Sequence, residues 1–317
     1  MLRRLVEARL FMPPTQASYD ARDYRLGSLY VSTLTVAGLG EKVACATTFD
    51  PAAGRGLRGD QGRPSVGAPL VIYFHGNAED IGMTAPRIAR LASALGLDAM
   101  VVEYPGYGPF VPDGQDERYC ARGARLQTQP SSSSATTTLC ASSAVRRAPP
   151  SEKAAHATAR AAFSHALRQR WVHCSDQIVL WGTSLGGAVA ARLAADMSRR
   201  GTPPAALILA STFATARDAA RDLIGGPWWR AVGRTVFATV DHVSDVTCPL
   251  LLLHGASDEV IPVRHASALA STCGHGTWWR MAVVPGGTHN DIDDDGFVVP
   301  QVRAFLCEAL APLASAP

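Results

Sequence analysis

The chain has 317 residues, 47% hydrophobic and 18% charged, with a formal net charge of +3. That length suits one large domain or two small ones, and its scattered arginines form no basic stripe of the kind nucleic acid requires. No apolar run reaches the roughly 18–20 residues that cross a bilayer, and seven dispersed cysteines without a C-x-x-C pair argue against a disulfide framework or a zinc site.

The cysteine pattern fits a reducing compartment, so a cytoplasmic setting is expected. The stretch Met1 to Phe11 is too broken by charge for a signal-peptide core. Leu2, Leu5, Val6, Leu10 and Phe11 fall on one face of a short helix. Packing of that face on the domain is preferred to peripheral contact with a membrane surface. Residues 1–28 are read as an N-terminal segment and 29–317 as one domain. Within the domain, Leu29–Thr35 and Val43–Thr48 read as an antiparallel pair. The Gly- and Arg-rich stretch from Gly54 to Gly67 reads as a long exposed loop.

From Leu70 onward short apolar runs alternate with longer amphipathic segments. Leu70–Phe74, Ala99–Tyr104, Ile178–Trp181, Ala206–Ala210 and Leu250–His254 are predicted as buried parallel strands, and Thr277–Val284 as the last strand. Helices are predicted at Thr84–Leu95, Ser151–Trp171, Leu185–Ser198, Arg264–Thr272 and Pro300–Leu310, with Ser151 as an N-cap. This alternation implies an α/β fold, a mostly parallel central sheet with helices on both faces. Two segments interrupt it. Residues 111–150 are rich in Ser, Thr and Arg and poor in large apolar residues, which predicts a disordered insertion. Residues 214–247 form a small cap.

The chemistry concentrates in a few segments. Gly182-Thr-Ser184-Leu-Gly186 follows a strand and opens a helix, the context that gives G-x-S-x-G its meaning. Ser184 there is a candidate nucleophile, exposed on a tight turn at the carboxyl edge of the sheet. A serine hydroxyl needs a base within hydrogen-bond reach. His289, in the loop after the last strand, is the one histidine in the right place. His75 and His254 end earlier strands and read as turn residues outside a triad, while His275 precedes the last strand. Asp258, four residues beyond a strand end, is the expected orienting acid, with Glu259 as its rival. For an oxyanion hole the donors are the backbone N–H of Leu185 and of Asn77, with Gly76 as the alternative to Asn77. The acidic run from Asp291 to Gly296 fails as a calcium loop because Val302 stands where a glutamate is required, and reads as a solvated turn.

Taken together, His75-Gly-Asn-Ala-Glu-Asp-Ile-Gly82, Glu103-Tyr-Pro-Gly-Tyr-Gly108, Gly182-Thr-Ser-Leu-Gly186, His254-Gly-Ala-Ser-Asp258 and Gly287-Thr-His-Asn-Asp291 resemble the α/β-hydrolase-domain lipid and thioester hydrolases. That group includes membrane-associated protein depalmitoylases and is often described as serine aminopeptidase-like. The resemblance implies an α/β-hydrolase fold, triad roles for Ser184, Asp258 and His289, and a hydrophobic acyl pocket. Depalmitoylases of this group carry a cysteine-rich acylated N-terminus, whereas this chain has no cysteine before Cys45.

The expected activity is hydrolysis of carboxylic esters or thioesters, on lipid or protein, without metal or cofactor. An aminopeptidase and a non-catalytic binding protein on the same fold are the alternatives. Trp228, Trp229 and Phe237 are the candidate substrate-binding residues, with Leu223, Ile224 and Val232 beside them.

Overall fold

The computed structural model describes residues 10–19, 25–26, 28–37, 39, 41–50, 55–56, 69–108, 149–169, 171–224, 227–274 and 276–314. Nearly all of the expected insertion lies outside the described residues, as do His275, residues 1–9 and most of the Gly-rich loop.

Eleven strands are described: β1 Arg25–Leu26, β2 Leu29–Val36, β3 Glu41–Thr47, β4 Phe49–Asp50, β5 Arg55–Gly56, β6 Leu70–Phe74, β7 Asp98–Val102, β8 Ile178–Thr183, β9 Ala206–Ala210, β10 Leu250–Gly255 and β11 Trp279–Val284. Nine of them form one sheet in the order β1-β2-β3-β7-β6-β8-β9-β10-β11, and β4 and β5 make a small separate pair. The ladders from β7 to β11 are parallel, whereas β1 to β3 join antiparallel.

Every residue of β6, β7, β9 and β10 is buried. Both faces of these strands are covered, so their sequences run continuously apolar instead of alternating. The pleat still separates them into two cores. Leu70, Ile72 and Phe74 join one core while Val71 and Tyr73 join the other.

The helices are α1 Ile81–Leu95, α2 Glu152–Ala166, α3 Leu185–Arg199, α4 Ala216–Ile224, α5 Thr239–Val243, α6 Arg264–Ser271 and α7 Val299–Ala314. Helices α1 and α7 bury Ile81, Ile88, Val302 and Phe305 in one core, and α2 and α3 bury Ala155, Ala159, Val189 and Leu193 in the other. The expected α/β architecture is therefore present. Helix α1 begins three residues earlier than its pattern suggests because Asp80 caps it, accepting the Met83 N–H at 3.0 Å. Ser151 caps α2 as expected, through the Ala154 N–H at 3.2 Å. That helix stops at Ala166 rather than Trp171, whose ring packs edge-on against Phe49. Among the described residues no helix is long and apolar enough to cross a membrane.

The topology decides where a site can form. From central β6 the chain goes to β7 on one side and then crosses to β8 on the other. The carboxyl ends of β6 and β8 consequently flank a crevice at the switch point, where ligands bind in open α/β sheets. The loops bearing Asn77 and Ser184 both open into it.

Candidate active site

Ser184 sits between β8 and α3 with φ 52° and ψ −118°, a backbone conformation that side chains rarely adopt. Two hydrogen bonds anchor it. Its N–H donates to Ala210 O at 2.9 Å, and its carbonyl accepts the Thr212 hydroxyl at 2.7 Å. The turn is tight enough to require glycine on either side. A Cβ on Gly182 would lie 2.2 Å from Gly186 O, and one on Gly186 would lie 2.0 Å from Phe74 O.

His289 and Asp258 meet behind this turn. His289 Nδ1 donates to Asp258 Oδ2 at 2.8 Å. The other carboxylate oxygen accepts the N–H groups of Val260 and Ile261 at 3.0 and 2.7 Å. Burial pushes the Asp258 carboxyl up, but these hydrogen bonds outweigh it and hold the group below the usual carboxylate range. Asp258 is thereby kept ionised and aimed at one imidazole nitrogen. Its rival Glu259 has no described contact with His289. His254 donates from Nε2 to Ile261 O at 2.6 Å, and its burial lowers its pKa, which leaves a neutral turn histidine.

On the opposite side the loop after β6 carries His75, Gly76 and Asn77. His75 is fully buried, with Nε2 at 2.9 Å from Glu103 Oε1 and Nδ1 at 2.8 Å from Gly76 O. Burial lowers its pKa, but the Glu103 carboxylate more than offsets this and raises it above the ordinary value. Glu103 also accepts the Tyr19 hydroxyl and the Ile81 N–H. This buried ion pair holds the loop in place, a role that the sequence pattern assigned only loosely to a turn. The Gly76 N–H donates to Glu79 Oε2 at 2.9 Å, which removes it as the alternative donor. Among the described residues no other acceptor takes the backbone N–H of Asn77 or Leu185. Ser184, Leu185, Asn77 and His289 all line one cavity of about 710 Å³.

The acidic turn after His289 is not simply solvated. Asp294 takes paired hydrogen bonds from Arg87 at 2.8 and 2.6 Å and one from Arg90 at 2.8 Å, and Asp295 also meets Arg90. These contacts pin the histidine loop to α1, the helix that follows the Asn77 loop.

A profile of the prolyl oligopeptidase family matches residues 157–311. Alpha/beta hydrolase domain-containing protein 17C of Xenopus tropicalis is 26% identical over 240 residues, which cover 76% of this chain and 62% of that protein. The Caenorhabditis elegans alpha/beta hydrolase domain-containing protein aho-3 is 27% identical over 248 residues, covering 78% of this chain and 60% of that protein. The chain thus spans about three-fifths of the length of these relatives. The solved structure of Est1E from Butyrivibrio proteoclasticus superposes with a TM-score of 0.56 at 16% identity, covering 89% of this chain and 99% of that one. The chain belongs to the α/β-hydrolase superfamily.

In this α/β hydrolase the cavity wall is mostly apolar and comes from three regions. Leu10 and Met12 approach from the N-terminal segment. Ala216, Ala219, Ala220 and Leu223 come from α4, with Phe213 and Phe237 beside it. Val260 and Ile261 follow Asp258. Of the predicted substrate-binding residues whose side chains are described, Phe237 lines the cavity. Trp229 does not: its ring packs among Arg217, Arg230 and Arg221 at 5.0, 5.2 and 6.0 Å. Cation–π attraction holds the ring among these arginines. The side chains of Trp228 and Ile224 lie outside the described part. Reading the cap as the wall missed the contribution of Leu10 and Met12, which the apolar face of the N-terminal segment could have signalled.

Proposed function

We propose that this α/β hydrolase cleaves carboxylic esters or thioesters through an acyl-serine intermediate. In this reading Ser184 Oγ attacks the acyl carbon while His289 Nε2 takes the hydroxyl proton. The N–H groups of Leu185 and Asn77 receive the negative charge that develops on the carbonyl oxygen. The imidazolium, steadied by Asp258, returns the proton to the departing alcohol or thiol, and water then repeats the sequence to release the acid.

The observation that carries this reading is the convergence on one cavity of a strained serine and an imidazole bonded to a buried carboxylate. The apolar wall favours a medium or long acyl chain on a lipid or protein. Amide cleavage is the second reading, supported by the prolyl oligopeptidase profile. An aminopeptidase must hold a substrate ammonium, and among the described residues that line the cavity Glu79 is the one carboxylate. Its Oε2 already accepts the Gly76 N–H, which favours the ester reading.

Labelling by a fluorophosphonate, comparing wild type with Ser184→Ala, tests the nucleophile. Hydrolysis of p-nitrophenyl esters from two to sixteen carbons, beside an alanyl anilide, tests the substrate class. Each buried methylene contributes roughly 0.8 kcal/mol, so kcat/KM should rise with chain length until the cavity is full. A flat profile with brisk anilide cleavage would transfer the assignment to the peptidase reading.

A further inference from the structure

The side chain of Asn77 is engaged separately from its backbone N–H. Its Nδ2 donates to Leu10 O at 2.7 Å, and its Oδ1 accepts the Met12 N–H at 2.9 Å and the Tyr107 hydroxyl at 2.6 Å. A primary carboxamide placed in this way acts as a peptide group would, pairing with the backbone on either side of Phe11. Phe11 itself is 3% exposed, with its ring 5.6 Å from that of Phe237 and 6.3 Å from that of Tyr107. Its neighbours Leu10 and Met12 face the cavity, and Met12 is 57% exposed at the rim.

These contacts give residues 10–12 a defined place in the wall although they belong to no described strand. We infer that they form a strap that completes the acyl-binding wall, and that Asn77 and Tyr107 are positioning residues that fasten it. The inference rests on the ester-hydrolase reading for its consequence, acyl-length selectivity, but the strap makes a claim about binding that stands apart from chemistry. With the strap seated, Leu10 and Met12 cover part of a bound acyl chain. With it released, the same chain lies partly in water and loses the contribution of about two methylenes, on the order of tenfold in affinity.

The test uses dodecanoate as the probe and calorimetric titration as the readout. Wild type should bind it, Phe11→Ala about tenfold more weakly, and Tyr107→Phe about threefold more weakly. In hydrolysis of the dodecanoyl ester these variants should raise KM and change kcat less than twofold, a split that general loosening of the fold would not produce. Tyr107→Phe removes one hydroxyl and no packing, so it decides the question if Phe11→Ala melts early. Equal dodecanoate binding by wild type and Tyr107→Phe, or none by wild type, would overturn the strap. Weaker binding in the variants with no fluorophosphonate labelling of wild type would uphold the strap and sink the catalytic reading instead.

Discussion

His289 Nδ1 lies 2.8 Å from Asp258 Oδ2 although 31 residues separate them, because two parallel strands end side by side. Gly255 closes β10 and Gly287 follows β11, and a Cβ on Gly255 would come 2.3 Å from Gly287 O. The Ser257 N–H then donates to that carbonyl at 2.9 Å, which sets the two loops in register. Acid and imidazole are thus aligned by backbone contacts before their side chains meet.

On the proposed mechanism, Asp258→Asn should fold normally and lose kcat/KM by on the order of 10⁴, through misorientation of the imidazole. Glu259→Gln should stay within about twofold of wild type. Ester hydrolysis by the two purified variants checks this, and the reverse result would move the acid to Glu259. Ser184→Ala and His289→Ala should each abolish nearly all turnover, because such residues act as a unit.

Gly186→Ala should destabilise the fold by roughly 3 kcal/mol or more, since the clash with Phe74 O is backbone against backbone and no rotamer relieves it. Gly201→Ala is the contrast. Gly201 has φ 74° and nothing within 4 Å of where a methyl would sit, so only conformational strain of about 1 kcal/mol is expected. Urea denaturation of both variants measures the difference.

The buried His75–Glu103 pair predicts a pH-dependent stability. His75 has its folded pKa raised above the ordinary 6.5. Its contribution is therefore complete below the unfolded pKa and is lost as pH rises through the folded value. The melting-temperature gap between wild type and Glu103→Gln should be widest near pH 6 and narrow toward alkaline pH. Thermal melts across that range decide it, and a gap constant with pH would show that the pair is not charged.

Deletion of residues 113–149 should raise stability by about 1.5–2 kcal/mol and leave ester hydrolysis within twofold of wild type. The flanking residues already meet, since a Cβ on Gly106 would lie 2.8 Å from the Pro150 ring. Shortening that connection about sevenfold is nearly three halvings of its length, each worth about 0.6 kcal/mol of closure entropy in favour of the folded state. Denaturation and hydrolysis by the deletion variant test this, and an unfolded product would refute it.

The longer strands, most helices and the Ser184 turn were legible in the sequence because each is written locally: a buried apolar run, a 3.6-residue stripe, or glycines around one serine. The two-residue strands β1, β4 and β5 were not, and β5 falls within the stretch read as an exposed loop. The order Ser184, Asp258, His289 along the chain was equally legible, since each follows the end of a predicted strand. Other features depend on residues that meet only after folding. His75 reads as a turn residue until Glu103 is found against it, and the Asp294 turn reads as solvated until Arg87 and Arg90 reach it from α1.

By itself the sequence determined the fold class and the candidate triad, because periodicity, turn chemistry and chain order are properties of neighbouring residues. Tertiary structure alone decided who walls the cavity. Trp229 has the right size and polarity for a substrate groove, yet three arginines take its ring, while Leu10 and Met12 arrive from a segment that the Asn77 carboxamide holds some 65 residues away. Side-chain hydrophobicity favours burial without specifying a partner, and only the packed chain chooses between neighbours that are equally apolar.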